Sequence, residues 1–229
     1  MIVILAREAD AAARSLAARW GDAAAFLCCA DIAQGCTAIA QPRIVDSTLT
    51  LSGRPQPISC IEGVLNLLPA VIPTEINFYP PEERAYQAAE FHALLLYLLA
   101  ALPCPVINQP TTLSLNGPVF NALGWYHLAS RAGIPLAPLA TEHDRLIPTF
   151  GSLDPDLIEV AILAGRIVRA SETIADTYLT ALANEASVHY LAARFWRRQA
   201  TDIRFVAANC VPDPAAVWLE PELRRAFKT

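Results

Sequence analysis

The sequence predicts an α/β fold, and three observations carry that prediction. The chain opens strand–helix–strand, with apolar bursts at Ile2 to Ala6 and Ala23 to Cys29 around an alanine-rich helical segment. Strand-length and helix-length segments then keep alternating. Finally, 54% of the 229 residues are hydrophobic and 17% are charged. That leaves ample apolar surface for a packed core and excludes a disordered chain.

The elements follow in order. Glu8 to Trp20 has few helix breakers and reads as a helix, stopped by Gly21-Asp22. With its two flanking strands it forms a parallel α/β unit. Thr48 to Pro55 alternates and then meets Ser52-Gly53-Arg54-Pro55, which is hairpin chemistry. Ile61 to Leu68 is a further apolar segment. Ile72 to Pro81 is loop-like. Glu82 to Leu102 is the clearest helix, acidic at its start and ended by Pro103 and Pro105. Its densest run, Ala93 to Leu102, is too short to span a bilayer and reads as a buried helix. Val106 and Ile107 form a short strand with Asn108 at its tip. Asn121 to Ala132 is a helix ended by Gly133. Leu157 to Ala170 reads as two strands around Gly165-Arg166. Ile174 to Arg198 reads as one helix and Ile203 to Ala208 as a buried strand. Asn209 to Pro214 is a loop, and Glu220 to Phe227 a closing helix.

Charge narrows the function classes. The net charge of −5 argues against a general nucleic-acid binder. Lys228 is the only lysine. A Walker A loop, a pyridoxal phosphate Schiff base and the usual protein-kinase site are therefore excluded. Residues 190–229 carry seven basic groups against four acidic ones, and the rest of the chain carries ten against eighteen. That asymmetry reads as an interaction surface or a solvated face. The N-terminus has no basic leader or cleavage site, so a cytoplasmic protein is expected.

No motif fixes a reaction. Cys28, Cys29, Cys36, Cys60, Cys104 and Cys210 contain no C-x-x-C pair and fit no zinc module, so reduced, buried thiols are expected. His92, His127 and His189 fall in helical segments and read as structural. Glu142-His143-Asp144 reads as a polar turn or as a metal or acid–base cluster. Tyr79 and Tyr86 read as rim packing or as a pocket gate.

The segment Val106 to Pro138, VINQPTTLSLNGPVFNALGWYHLASRAGIPLAP, resembles a stretch of the ATP-grasp carboxylate–amine ligases. The matches are Asn108, the helix Asn121 to Ala132 and the turn Ala132-Gly133-Ile134-Pro135. The resemblance implies a Rossmann-like N-terminal domain of the pre-ATP-grasp type over residues 1–110. A small, truncated ATP-grasp-like α+β domain would follow over 111–229. EVAILAGRIVRA, from Glu159 to Ala170, resembles the strand pair that follows the lid. FVAANCVPDP, from Phe205 to Pro214, resembles the metal-binding strand, which reads E-x-N and then proline. Asn209 takes the Asn place, and the Glu place falls on Ala207. The family's lid supplies two lysines to the ATP phosphates, whereas here only residues 139–158 are available and none is Lys. Losing two charge-assisted bonds would cost about 3–6 kcal/mol, roughly two to four decades in affinity. Losing the carboxylate also removes an oxygen ligand for Mg²⁺. The expectation is therefore no cofactor, with neither ATP nor Mg bound.

Three functions are carried forward. The favoured one is a reduced ATP-grasp-like protein, inactive as a ligase. It would act as a binding or assembly partner of a peptide- or amino-acid-modifying enzyme. The second is an ATP-independent enzyme binding a small carboxylate or peptide in an interdomain cleft through Asn108, Asn116, Arg166 and Asn209, with Arg166 forking onto the carboxylate. The third is a homodimeric α/β scaffold. None involves nucleic acid or a membrane.

Overall fold

The computed structural model describes residues 1–35, 47–51, 53–142, 145–148, 156–169 and 173–227. The chain divides into two compact units. One comprises residues 1–117 with 213–229, the other residues 118–212.

The first unit is built on a parallel sheet of β1 (Ile2–Leu5), β2 (Ala24–Leu27), β5 (Gly63–Asn66) and β6 (Val106–Ile107), in the order β2-β1-β5-β6. Parallel sheets need cover on both faces. Val3, Leu5, Leu27, Val64 and Val106 share a core with Leu95, Leu98 and Leu99 of α3 (Arg84–Ala101). Burying each such side chain contributes roughly 1.5–3 kcal/mol. The hairpin of β3 (Thr48–Leu51) and β4 (Arg54–Pro57) adds Leu49 and Leu51 to the same core. Helix α1 (Ala11–Trp20) packs on β2 and buries Ala13, Leu16, Ala17 and Trp20. It starts later than Glu8 because the Asp10 carboxylate accepts the Ala13 N–H at 2.9 Å and caps it there. Helix α2 (Cys29–Gly35) follows β2 and has no counterpart in the sequence reading. Among the described residues, no helix is long and apolar enough to cross a membrane.

The C-terminal helix α6 (Glu220–Ala226) belongs to this first unit. The Glu220 carboxylate accepts from Arg19 Nε at 2.8 Å, from Trp20 Nε1 at 2.9 Å and from Arg224 Nη2 at 3.4 Å. The Arg19 hydrogen bond holds this carboxyl below its usual range, against the opposing effect of burial. A depressed carboxylate contributes stability above its unfolded pKa, and that stability is lost as pH falls through the folded value. Thermal melts should therefore show stability declining below about pH 4.3. Glu220→Gln should flatten that decline.

The second unit is an antiparallel sheet in the order β10-β9-β11-β12, made of β9 (Leu157–Leu163), β10 (Arg166–Arg169), β11 (Tyr190–Gln199) and β12 (Asp202–Asn209). Helix α5 (Thr173–Ala186) packs on β9 and β11, and α4 (Ala122–Arg131) packs on β12. Between them they cover Ile158, Val160, Ile162, Leu191, Ala193, Phe195, Ile203 and Phe205. A hairpin of β7 (Leu139–Glu142) and β8 (Arg145–Pro148) precedes the sheet.

One expectation fails clearly here. Ile174 to Arg198 is not a single helix. Ser187 takes φ 53°, and the Val188 N–H closes back on the Ala183 carbonyl at 3.1 Å, which ends α5. Tyr190–Gln199 then form the ten-residue strand β11. Their Ala, Leu and Arg content mimics a helix, but Leu191, Ala193 and Phe195 alternate inward and decide for a strand. His189 consequently sits in the connection rather than in a helix. Cys60 is exposed, against the expectation of buried thiols, because it ends a short 3₁₀ turn after the hairpin.

Tyr126 of α4 lies edge-on to Phe205, with ring centroids 5.4 Å apart. Its hydroxyl is buried without a hydrogen-bond partner among the described residues. Burial pushes its pKa up to about 12. Desolvating an unpaired hydroxyl costs about 1–3 kcal/mol. Tyr126→Phe should thus stabilise the chain by about 1 kcal/mol in urea denaturation.

Candidate functional site

Cross-strand partners in a sheet share a face, and successive residues alternate. In the second unit one face is taken by α4 and α5. The register then fixes the opposite face. Arg166 stands opposite Leu163, and Arg169 opposite Ala161. Glu159 stands opposite Arg194, and Leu157 opposite Trp196. Arg194 faces Ala207, Ala192 faces Asn209, and Trp196 faces Arg204. This outer face thus gathers arginines from three strands. Val206 is the extra residue of a bulge beside Arg194.

The anions on this face are already engaged. Arg169 Nη1 lies 2.8 Å from Glu159, and Asp202 lies 2.9 Å from Arg204 and 3.4 Å from Arg198. The Arg198 guanidinium also lies 5.4 Å from the Trp196 ring centroid. Arg166 and Arg194 are exposed and carry no ion pair among the described residues. These exposed pairs contribute little to stability. Arg166 and Arg194 leave a positive excess on this face among the described residues.

The four residues expected to bind substrate fall in two places. Arg166 and Asn209 lie on this outer face, Arg166 directly after the turn Ala164-Gly165, both at positive φ. The Asn209 side chain bonds both ways to Val211, accepting its N–H at 3.0 Å and donating to its carbonyl at 3.2 Å. Asn108 and Asn116 lie in the first unit and are buried, at 1% and 5% exposure. Ser114 Oγ lies 2.8 Å from Asn116 Oδ1 and 3.2 Å from the Pro69 carbonyl oxygen, and its one proton is available to either acceptor. Asn66, at the end of β5, donates to the Leu115 carbonyl at 2.6 Å. This polar cluster holds residues 108–117 over the end of the parallel sheet.

Sequence reading missed Arg194 and Arg169. The available signal was the period-two alternation of residues 190–196, hidden by reading them as helix. Tyr79 packs against Phe78 and Phe91, at 4.8 and 6.4 Å between centroids, while Tyr86 is 64% exposed. His143 and Asp144 lie outside the described residues. Four thiols are disfavoured as nucleophiles: burial raises Cys28, Cys104 and Cys210, and burial first, then the Glu75 charge, pushes Cys29 up to about 12. Among the described residues no three His, Cys, Asp or Glu side chains come together as a metal-binding group. Ala207 has no side-chain oxygen, and its cross-strand neighbour Arg194 is a cation.

No protein-family model matches the chain, and no curated protein matches its sequence. Solved structures do match. The ATP-grasp ligase PsnB, complexed with minimal precursor, Mg and ADP, superposes with a TM-score of 0.66 at 11% identity, covering 100% of this chain and 98% of that one. The macrocyclase MdnC from Microcystis aeruginosa MRC, bound with precursor peptide MdnA, gives 0.67 at 9% identity, covering 100% and 99%. A Chryseobacterium gregarium RiPP-associated ATP-grasp ligase, in complex with ADP and a leader and core peptide, gives 0.64 at 9% identity, covering 99% and 94%. These neighbours overturn one expectation. Proteins of this fold are solved with ADP and with Mg, so the sequence-based exclusion of ATP and Mg does not stand. At these identities the likeness defines architecture, and over its whole length the chain has the fold of the ATP-grasp ligases.

Proposed function

We propose that the chain is a peptide-binding protein of the ATP-grasp fold that does not itself ligate, and that it serves as a binding or assembly partner of a peptide-modifying enzyme. The observation that carries this reading is the register pair Arg194–Ala207, which puts a methyl group on β12, the strand that resembles the family's metal-binding strand, and a cation opposite it on β11. Peptide binding draws support from the neighbours solved with precursor peptides. Arg166, whose guanidinium has no ion pair among the described residues, offers a fork for a peptide carboxylate. Binding of ATP and Mg is compatible with this function; bond formation is not.

The test incubates the purified chain with a leader-and-core precursor peptide, ATP and Mg. Peptide binding is read by fluorescence anisotropy and bond formation by mass spectrometry. The expected result is saturable binding with unchanged peptide mass. A product lighter by one water shows ligation and overturns the proposal, and absence of binding removes the peptide reading.

A further inference from the structure

The core of the first unit is not fully packed. Register pairs Val3 with Val64 and Leu5 with Leu27, so these four side chains share one face of the parallel sheet. Together with Leu95 and Leu99 of α3 they line a cavity of about 50 Å³, whose walls α2 and β3 help to complete. All twelve lining side chains are Val, Leu or Ile. Eleven of them are buried, and only Leu102, directly after α3, is partly exposed. A water molecule needs only about 10–15 Å³, but it also needs two to four polar partners. No polar atom faces this cavity, so it stays dry. Across a dry gap the facing side chains forfeit dispersion contacts, which an apolar occupant restores. The volume falls well below the roughly 150 Å³ that takes up benzene, so an aromatic ring is too large.

We propose that this cavity is a binding site for a small, uncharged apolar molecule, entered beside Leu102. The ligand class is a single polarisable atom or a short saturated hydrocarbon, held by dispersion with no hydrogen bond. No bond is made or broken. The inference does not rest on the peptide reading, whose residues lie on the sheet of the second unit.

The experiment follows the methyl groups of the full-length chain by NMR under increasing xenon pressure. The expected result is saturable shifts at Val3, Val64, Leu95 and Leu99. Val64→Ile adds one carbon that fills the space. It should weaken xenon binding by about tenfold or more and raise the midpoint of urea denaturation. Val106→Ile is the control. Val106 pairs with Val64 across β5 and β6 and is equally buried, yet it does not line the cavity. The same added carbon overpacks that site, so the midpoint should fall while xenon affinity changes less than about twofold. Val3→Ile approaches the cavity from β1 and should repeat the Val64→Ile result, which guards against a local misfit in β5. A lowered midpoint in all three variants would mean that no space is open there and overturn the site. Lining methyl groups that do not respond to xenon would overturn it as well. Benzene shifting the same methyl groups would overturn the size limit. Peptide binding is read separately by anisotropy, so a failure here stays distinct from a failure of the proposed function.

Discussion

Phe227→Ala is expected to destabilise the first unit by about 3–5 kcal/mol, the cost of deleting a buried aromatic ring. Phe227 is 4% exposed and is the residue directly after α6. Its ring lies on Gly63, the first residue of β5, so closely that a methyl group there would run into Cδ1 of the ring. The absence of a side chain at Gly63 is therefore what lets the C-terminal segment reach the sheet. Gly63→Ala should be nearly as damaging, because either the strand or the ring has to move. Urea denaturation of both single variants and the double variant gives the coupling. In the Phe227→Ala background Gly63→Ala should cost little, because the obstacle is gone. Additive losses would mean that the two residues act separately. Glu220 is a second attachment of the same helix, through Arg19 and Trp20, and it should limit how far α6 detaches in Phe227→Ala.

Apart from α2, the elements of the first unit were legible because local signals and tertiary demands agree there. Asp10 and Gly21 bound α1, and the apolar runs at Ile2 and Ala24 pair in parallel as their lengths suggest. The hairpin at Thr48 follows from Gly53, which takes φ 75°. Residues 190–199 were misread because Ala, Leu and Arg favour a helix locally, while the need to pair with β9 and β12 prevails. That error also hid the candidate site, since a helix would have set Arg194 beside Arg197 and Arg198. As a strand, it sets Arg194 between Glu159 and Ala207. Arg166 and Asn209 could be named from sequence, but no local pattern says that they share a face. Only the strand order β10-β9-β11-β12 does. The return of α6 to the first unit was equally hidden, because it depends on one glycine more than 150 residues upstream.

Gly117→Ala is the second change expected to have a large effect, about 2–5 kcal/mol, combining a left-handed residue with an overpacked neighbour. Gly117 has φ 106°, and a Cβ built there would lie 2.8 Å from Asn108 Cβ. Asn108 is 1% exposed and has no room to retreat. The segment between them is pinned at Leu115 N–H to the Pro69 carbonyl at 2.8 Å and through Ser114 to Asn116. The strain would therefore pass into the polar cluster at the end of the parallel sheet. Gly133→Ala separates the two contributions. Gly133 has φ 72°, but nothing lies within 4 Å of a Cβ there, so it should lose only about 1–2 kcal/mol from backbone strain. If urea denaturation shows the same loss for both variants, the Asn108 contact yields freely, and the loop is looser than its hydrogen bonds imply. A clearly larger loss for Gly117→Ala means that Asn108 is held rigidly against this glycine, which makes its place at the tip of β6 a fixed feature of the first unit.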